Sequence, residues 1–138
     1  VYGSLDISTS GMIAQRVRLT ASAANIANNG VIENAKGEYE PYLRREVILA
    51  PGDPAAPTRE GQRMGVHVRE IFQNPDALRA RHDPSSKHAD ENGYVMVPDI
   101  SSVAEQVDAL EASRAYEANV AAAEVTKAMM GQALRLIA

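Results

Sequence analysis

SVAEQVDALEASRAYEANVAAAEVTKAMMGQALRLI, residues 102–137, holds no proline and a single glycine, Gly131. Nothing in it stops a helix, and its alanine, leucine, glutamate and methionine favour one. Ser102 and Glu105 have capping-box spacing, so the helix is expected to open there, with the glutamate reaching back to the cap. Val103, Val107 and Leu110 mark one face of the early turns. From Ala118 onward Val120, Val125, Met129, Met130, Leu134, Leu136 and Ile137 point to nearly every side. A helix that is apolar all round has to be surrounded.

Length decides what can surround it. At about 1.5 Å per residue the run is roughly 54 Å long. A compact globule of this chain length is only about 37 Å across. The helix therefore projects from any globule the rest could build. Alanines at 109, 112, 115, 118, 121, 122, 123, 128 and 133 allow close helix axes, near the lower end of the usual ~8–10 Å spacing.

The other end supplies a partner. Ser4 to Asn28 reads as a second helix, about 36 Å long. Leu5, Met12, Leu19 and Ile26 recur every seven residues on one stripe, and Ile13, Val17, Ala21 and Ala24 form another. Two separated stripes ask for two neighbours. Gly11 weakens the first turns and is expected to mark where the helix becomes regular. Asn28, Asn29 and Gly30 are residues that cap and turn, and they end it. Antiparallel pairing of the two helices covers one face of each. The remaining faces are expected to be buried by copies or relatives of the chain, and the isolated monomer to be poorly ordered at both ends.

Between the helices, Asn29 to Pro98 is irregular and carries all seven prolines. Tyr42–Leu49, Met64–Phe72 and Tyr94–Val97 are the strand candidates; Val66 and Val68 alternate with His67 and Arg69. Ala50–Gln62 and His82–Asn92 read as loops. The predicted fold is mainly α with a small β part: long terminal helices paired as an antiparallel coiled coil, and an extended middle segment.

Composition excludes several functions. The net charge is −4 with scattered basic residues, which lacks the electrostatic footprint of a nucleic-acid binder. No apolar run is long enough to span a bilayer, and no signal-peptide pattern opens the sequence. There is no cysteine for disulfides or thiolate metal sites. His82, Asp83, His88, Asp90 and Glu91 could suggest a metal, but without the spacing that sets two ligands on one helix face they read as a solvated loop. Asp6, Ser8 and Ser10 stand near no activating histidine and read as local helix capping. No catalytic constellation, cofactor site or metal site is expected. Met129 and Met130 read as packed helical residues. Tyr116 has two readings, a ring at the edge of the core or an anchor between subunits.

Five blocks in order carry a resemblance: DISTSGMIAQRVRL (Asp6–Leu19), ANIAN (Ala24–Asn28), ENGYVMVPDI (Glu91–Ile100), ASRAYEANV (Ala112–Val120), and Lys127 with the apolar end. Together they resemble the proximal-rod proteins of the bacterial flagellar basal body, a branch of the flagellar axial protein family. In that family a proline is common at the position of Ser102, which would move the cap to Ser101. The resemblance implies an inner coiled-coil domain made of residues 1–30 and 99–138, and an outer β/loop segment of residues 31–98. It implies a structural subunit, not an enzyme, of a helically assembled hollow shaft that transmits torque and lines the export channel. Implied partners are copies of itself, other rod subunits, and MS-ring and export-gate proteins at the rod base. Implied localisation is the periplasmic rod, after export without a cleaved signal peptide. Subunit packing is expected to fall on Leu5, Met12, Leu19, Ile26, Val107, Leu110, Tyr116, Ala118, Ala121, Val125, Met129 and Leu136. Alternatives are another rod or hook component, or a soluble coiled-coil adaptor.

Overall fold

The computed structural model describes residues 2–137; Val1 and Ala138, the outermost positions of the expected inner domain, lie outside them. Helix α1 spans Tyr2–Ala27 and helix α2 spans Ser102–Ile137, the latter 36 residues long. Between them lie strands β1 (Arg45–Pro51), β2 (Val66–Gln73), β3 (Leu78–His82) and β4 (Tyr94–Pro98). The chain is mainly helical with a small β part.

α1 and α2 lie antiparallel. Ser4 Oγ is 3.3 Å from Thr126 Oγ1 at one end, and Asn29 Nδ2 donates to Ser102 Oγ at 3.0 Å at the other. Between those ends Arg18 faces Glu111 at 3.9 Å. The seam steps by seven along both helices, through positions 4, 11, 18 and 25 and positions 105, 112, 119 and 126. Its occupants are small or polar. Ala14, Ala21 and Ala112 are buried, as are Ser8, Ser22, Asn25 and Glu105. Small side chains let the helices approach closely, but each buries little apolar area and so contributes little at ~25 cal/mol per Å².

Gly11 does not delay the helix, contrary to the sequence expectation; α1 runs through it without a break. Its role is contact. A Cβ there would lie 2.6 Å from Asn119 Oδ1. Asn119 is held in place, its Nδ2 donating to Ala115 O at 2.8 Å. α1 ends at Ala27, and Asn28 Nδ2 turns back to Ala24 O at 2.8 Å. Gly30 then takes φ +91°, the left-handed conformation that side chains resist.

The start of α2 departs from the capping-box reading. Ser101 is the cap: Ala104 N–H donates to its Oγ at 3.3 Å. Glu105 is pulled away from the backbone by stronger partners described below, so no reciprocal box forms.

β1 and β2 pair antiparallel from Arg45↔Gln73 to Pro51↔Val66, with a bulge beside Ile48 and Leu49. The expected strands begin two to three residues early, because Tyr42–Arg44 and Met64–Gly65 are held by side chains and turns rather than by the ladder. This ribbon lies along α1, which touches both strands. The lengths agree: six strand steps of ~3.3 Å and fifteen helix steps of ~1.5 Å each come to about 20–22 Å. Val17 and Ala21 of the second α1 stripe line a hollow with Arg45 and Ile71 of the ribbon. One of the two neighbours that α1 asks for is thus its own chain. At the far end Ser10 Oγ accepts Val66 N–H at 3.1 Å, and the Asp53–Met64 loop folds over Gly3, Ile7 and Ser10.

β3 was not expected from the sequence. LRARH has one large apolar residue among three bases, so neither alternation nor an apolar run reveals it. It pairs with β4 from Leu78↔Pro98 to His82↔Tyr94. Val95, Val97 and Ile100 are buried and form the apolar base of this hairpin.

Candidate functional site: a buried polar knot and an uncovered helix face

Asn25, in the ANIAN stretch, is 1% exposed and uses all its hydrogen-bonding capacity. Its Nδ2 donates to Arg45 O at 2.9 Å and to Glu105 Oε2 at 3.0 Å. Its Oδ1 accepts Arg45 N–H at 2.9 Å and Tyr42 O–H at 3.0 Å. One side chain therefore joins α1, the start of β1 and the first turn of α2. Glu105 is equally buried, and its Oε1 takes Arg44 Nε at 2.6 Å. Arg44 also faces Glu46 at 3.7 Å and Asp108 at 3.8 Å. No buried side-chain nitrogen or oxygen among the described residues lacks a partner. A buried carboxylate is tolerable only with such pairing.

Sequence reasoning missed this knot. The available signal was an asparagine inside an alanine-rich helix, a poor helix former that belongs there only if its amide has work elsewhere. Glu105 was misread because local capping is the simpler use of a glutamate at that spacing.

Burial pushes the Tyr42 phenol above its ordinary value, with Glu105 adding to the rise and Arg45 opposing it. A raised folded value means that the neutral phenol's contribution is complete below about pH 10 and is lost as pH rises past it. Urea midpoints of the wild type are expected to fall more steeply in that alkaline range than those of Tyr42→Phe. Parallel curves would remove Tyr42 from the knot.

The loop histidines do not converge on a metal site. His88 Nε2 meets Glu33 Oε1 at 3.0 Å and its ring lies 5.2 Å from Tyr39, while His82 packs edge-on against Tyr94. Lys87 joins Glu33 at 3.0 Å. The hydrogen bonds from Lys87 and His88 hold the Glu33 carboxyl below its ordinary value.

The residues expected to pack subunits separate into two groups. Leu5, Met12, Leu19 and Ile26 are half-buried beside the seam. On α2, Val107, Leu110, Tyr116, Ala118, Ala121, Val125, Met129 and Leu136 all face outward. Val125 is 60% exposed, Met129 63% and Leu136 89%. The helices thus meet through small and polar side chains and leave the large apolar ones of α2 bare.

Comparison with known proteins shows the family. Residues 91–136 match the family model described as "Flagellar basal body rod FlgEFG protein C-terminal". The chain is 41% identical over 128 residues to the flagellar basal-body rod protein FlgC of Aquifex aeolicus, covering 92% of this chain and 90% of that protein. It is 32% identical to FlgC of Bacillus subtilis, over 98% and 97% of the two chains. It is also 32% identical to FlgC of Salmonella typhimurium, over 95% and 93%. The chain belongs to the FlgC family of flagellar basal-body rod proteins. It is a structural protein and not an enzyme.

Proposed function

We propose that this chain is a structural subunit of the flagellar basal-body rod, in which α1 and α2 work as an antiparallel coiled coil forming the inner layer. Residues 31–98 form the outer layer that meets neighbouring subunits. Packed copies and related rod subunits build a hollow shaft that transmits torque and surrounds the export channel in the periplasm. MS-ring and export-gate proteins are its partners at the base.

The observation that carries this reading is the outward face of α2. Val103, Val107, Leu110, Val125 and Met129 are each at least half exposed. Large apolar side chains left bare in this number along one helix mark a protein interface. Leu5, Met12, Leu19 and Ile26, half-buried on α1, add apolar area to the inner layer.

The test is Val125→Asp in the full chain in its own cells. Val125 is 60% exposed, so a carboxylate there stays in water and the protein should accumulate normally. Rods should fail to form, and swimming should be lost. Normal swimming with Val125→Asp would overturn the proposed packing face.

A further inference from the structure

An open cleft of about 430 Å³ lies on the outer face of the β3–β4 hairpin, lined by Tyr39, Ala80, His88, Asp90, Tyr94 and Met96. Its walls are preorganised. Tyr39 O–H donates to Met96 O at 2.9 Å, the Tyr39 and His88 rings are 5.2 Å apart, and Asp90 Oδ1 accepts Tyr94 N–H at 2.8 Å. Yet Tyr39, Tyr94 and Met96 are each more than 40% exposed. Aromatic walls around a shallow open groove suit a small apolar ring such as that of an exposed proline, and an adjacent acid suits a nearby arginine. Asp90 and the exposed Glu91 supply the acid.

The same chain carries the complementary segment. Pro54-Ala55-Ala56-Pro57-Thr58-Arg59 is shaped by turns, with Ala56 N–H donating to Asp53 O at 3.2 Å and Gln62 N–H to Thr58 O at 3.0 Å, and it presents Pro54, Pro57 and Arg59 exposed. Among the described residues, Arg59 and Glu91 have no ion-pair partner. The segment cannot reach its own cleft. Its loop is folded over Gly3–Ser10 at one end of α1, whereas the cleft's Tyr39 and His88 are held by Glu33, just past the Asn25 end, about 27 Å away along the helix from Ile7. Complementary surfaces at opposite ends of one subunit join copies head to tail in an open series.

We infer that the cleft receives the Pro54–Arg59 segment of a second copy of this chain, with Pro57 between Tyr39 and Tyr94 and Arg59 at Asp90 and Glu91. This rests on the rod-subunit reading and names one contact within it.

The chain has no cysteine, so engineered thiols report the contact cleanly. Cells expressing one copy with Thr58→Cys and another with Ala80→Cys are oxidised, and their basal bodies isolated. A disulfide between the two chains is expected, since only Cα atoms within about 7 Å can be bridged. Arg59→Glu should reduce its yield about two- to fivefold, the range of an exposed ion pair, and Glu91→Arg in the other copy should restore it. Rods that assemble without this disulfide, or that link Ala80→Cys to a different protein, overturn the contact and leave the rod reading standing. Absence of even the wild-type chain from isolated rods overturns the rod reading itself. Should the cysteine variants fail to incorporate, a synthetic peptide of residues 51–63 titrated into the full chain decides the matter. Shifts of the Tyr94–Met96 amide resonances support the contact, and their absence at saturating peptide overturns it.

Discussion

Asn25→Ala is expected to destabilise the folded chain by about 3–5 kcal/mol. The substitution strands the backbone N–H and C=O of Arg45, the Tyr42 hydroxyl and one oxygen of Glu105. The Glu105 oxygen is fully buried and the other groups partly so; a fully buried polar group left without a partner costs about 1–3 kcal/mol, a part-buried one less. Water entering the opened space offsets part of the sum, and the total is still a large share of the ~5–15 kcal/mol that holds a domain together. Amide exchange at Arg45–Leu49 should rise along with that at the start of α2, because one side chain holds both. A urea midpoint within ~0.5 kcal/mol of wild type, or faster exchange confined to β1, would contradict the three-way role given to Asn25.

Gly11→Ala is expected to destabilise by about 1–3 kcal/mol, although alanine is the better helix former by about 1 kcal/mol. The added Cβ would meet the Asn119 amide on three atoms, all within 2.8 Å, and that amide is anchored to Ala115. The helices must part or the anchor must break. Asn119→Ala in the Gly11→Ala background removes the obstacle, so the double variant should recover to wild-type stability or above. Strong coupling in the double-mutant cycle is the signature of direct contact. Additive losses at the two positions would mean that Gly11 matters for another reason.

How far the sequence revealed this architecture varied with the kind of signal. Both terminal helices were legible because periodicity, missing breakers and the Asn28-Asn29-Gly30 stop agree over long windows. β1, β2 and β4 were each found as strand candidates, β2 from the alternation of Val66 and Val68 with His67 and Arg69, and the starts of β1 and β2 are shifted by residues that tertiary contacts hold. β3 was not, since Leu78–His82 is extended only because β4 pairs with it. The outward residues Val107, Leu110, Val125 and Met129 were found as apolar positions. Which face meets α1 was not, because the seam is written in serine, alanine, glycine and asparagine. Those residues carry no hydrophobic period, and the close approach they permit is visible only once the axes are placed. Glu105 shows the same gap: local spacing suggested a cap, and a partner 80 residues away in Asn25 took precedence.

The ribbon's two attachments to α1, through Asn25 at Arg45 and through Ser10 at Val66, have a mechanical consequence. A plate bolted at a single point swivels; one bolted at two points some 22 Å apart resists a couple applied to its free edge. A sideways push on this flap is therefore delivered to the long rods beneath as a turning moment, not dissipated at a hinge.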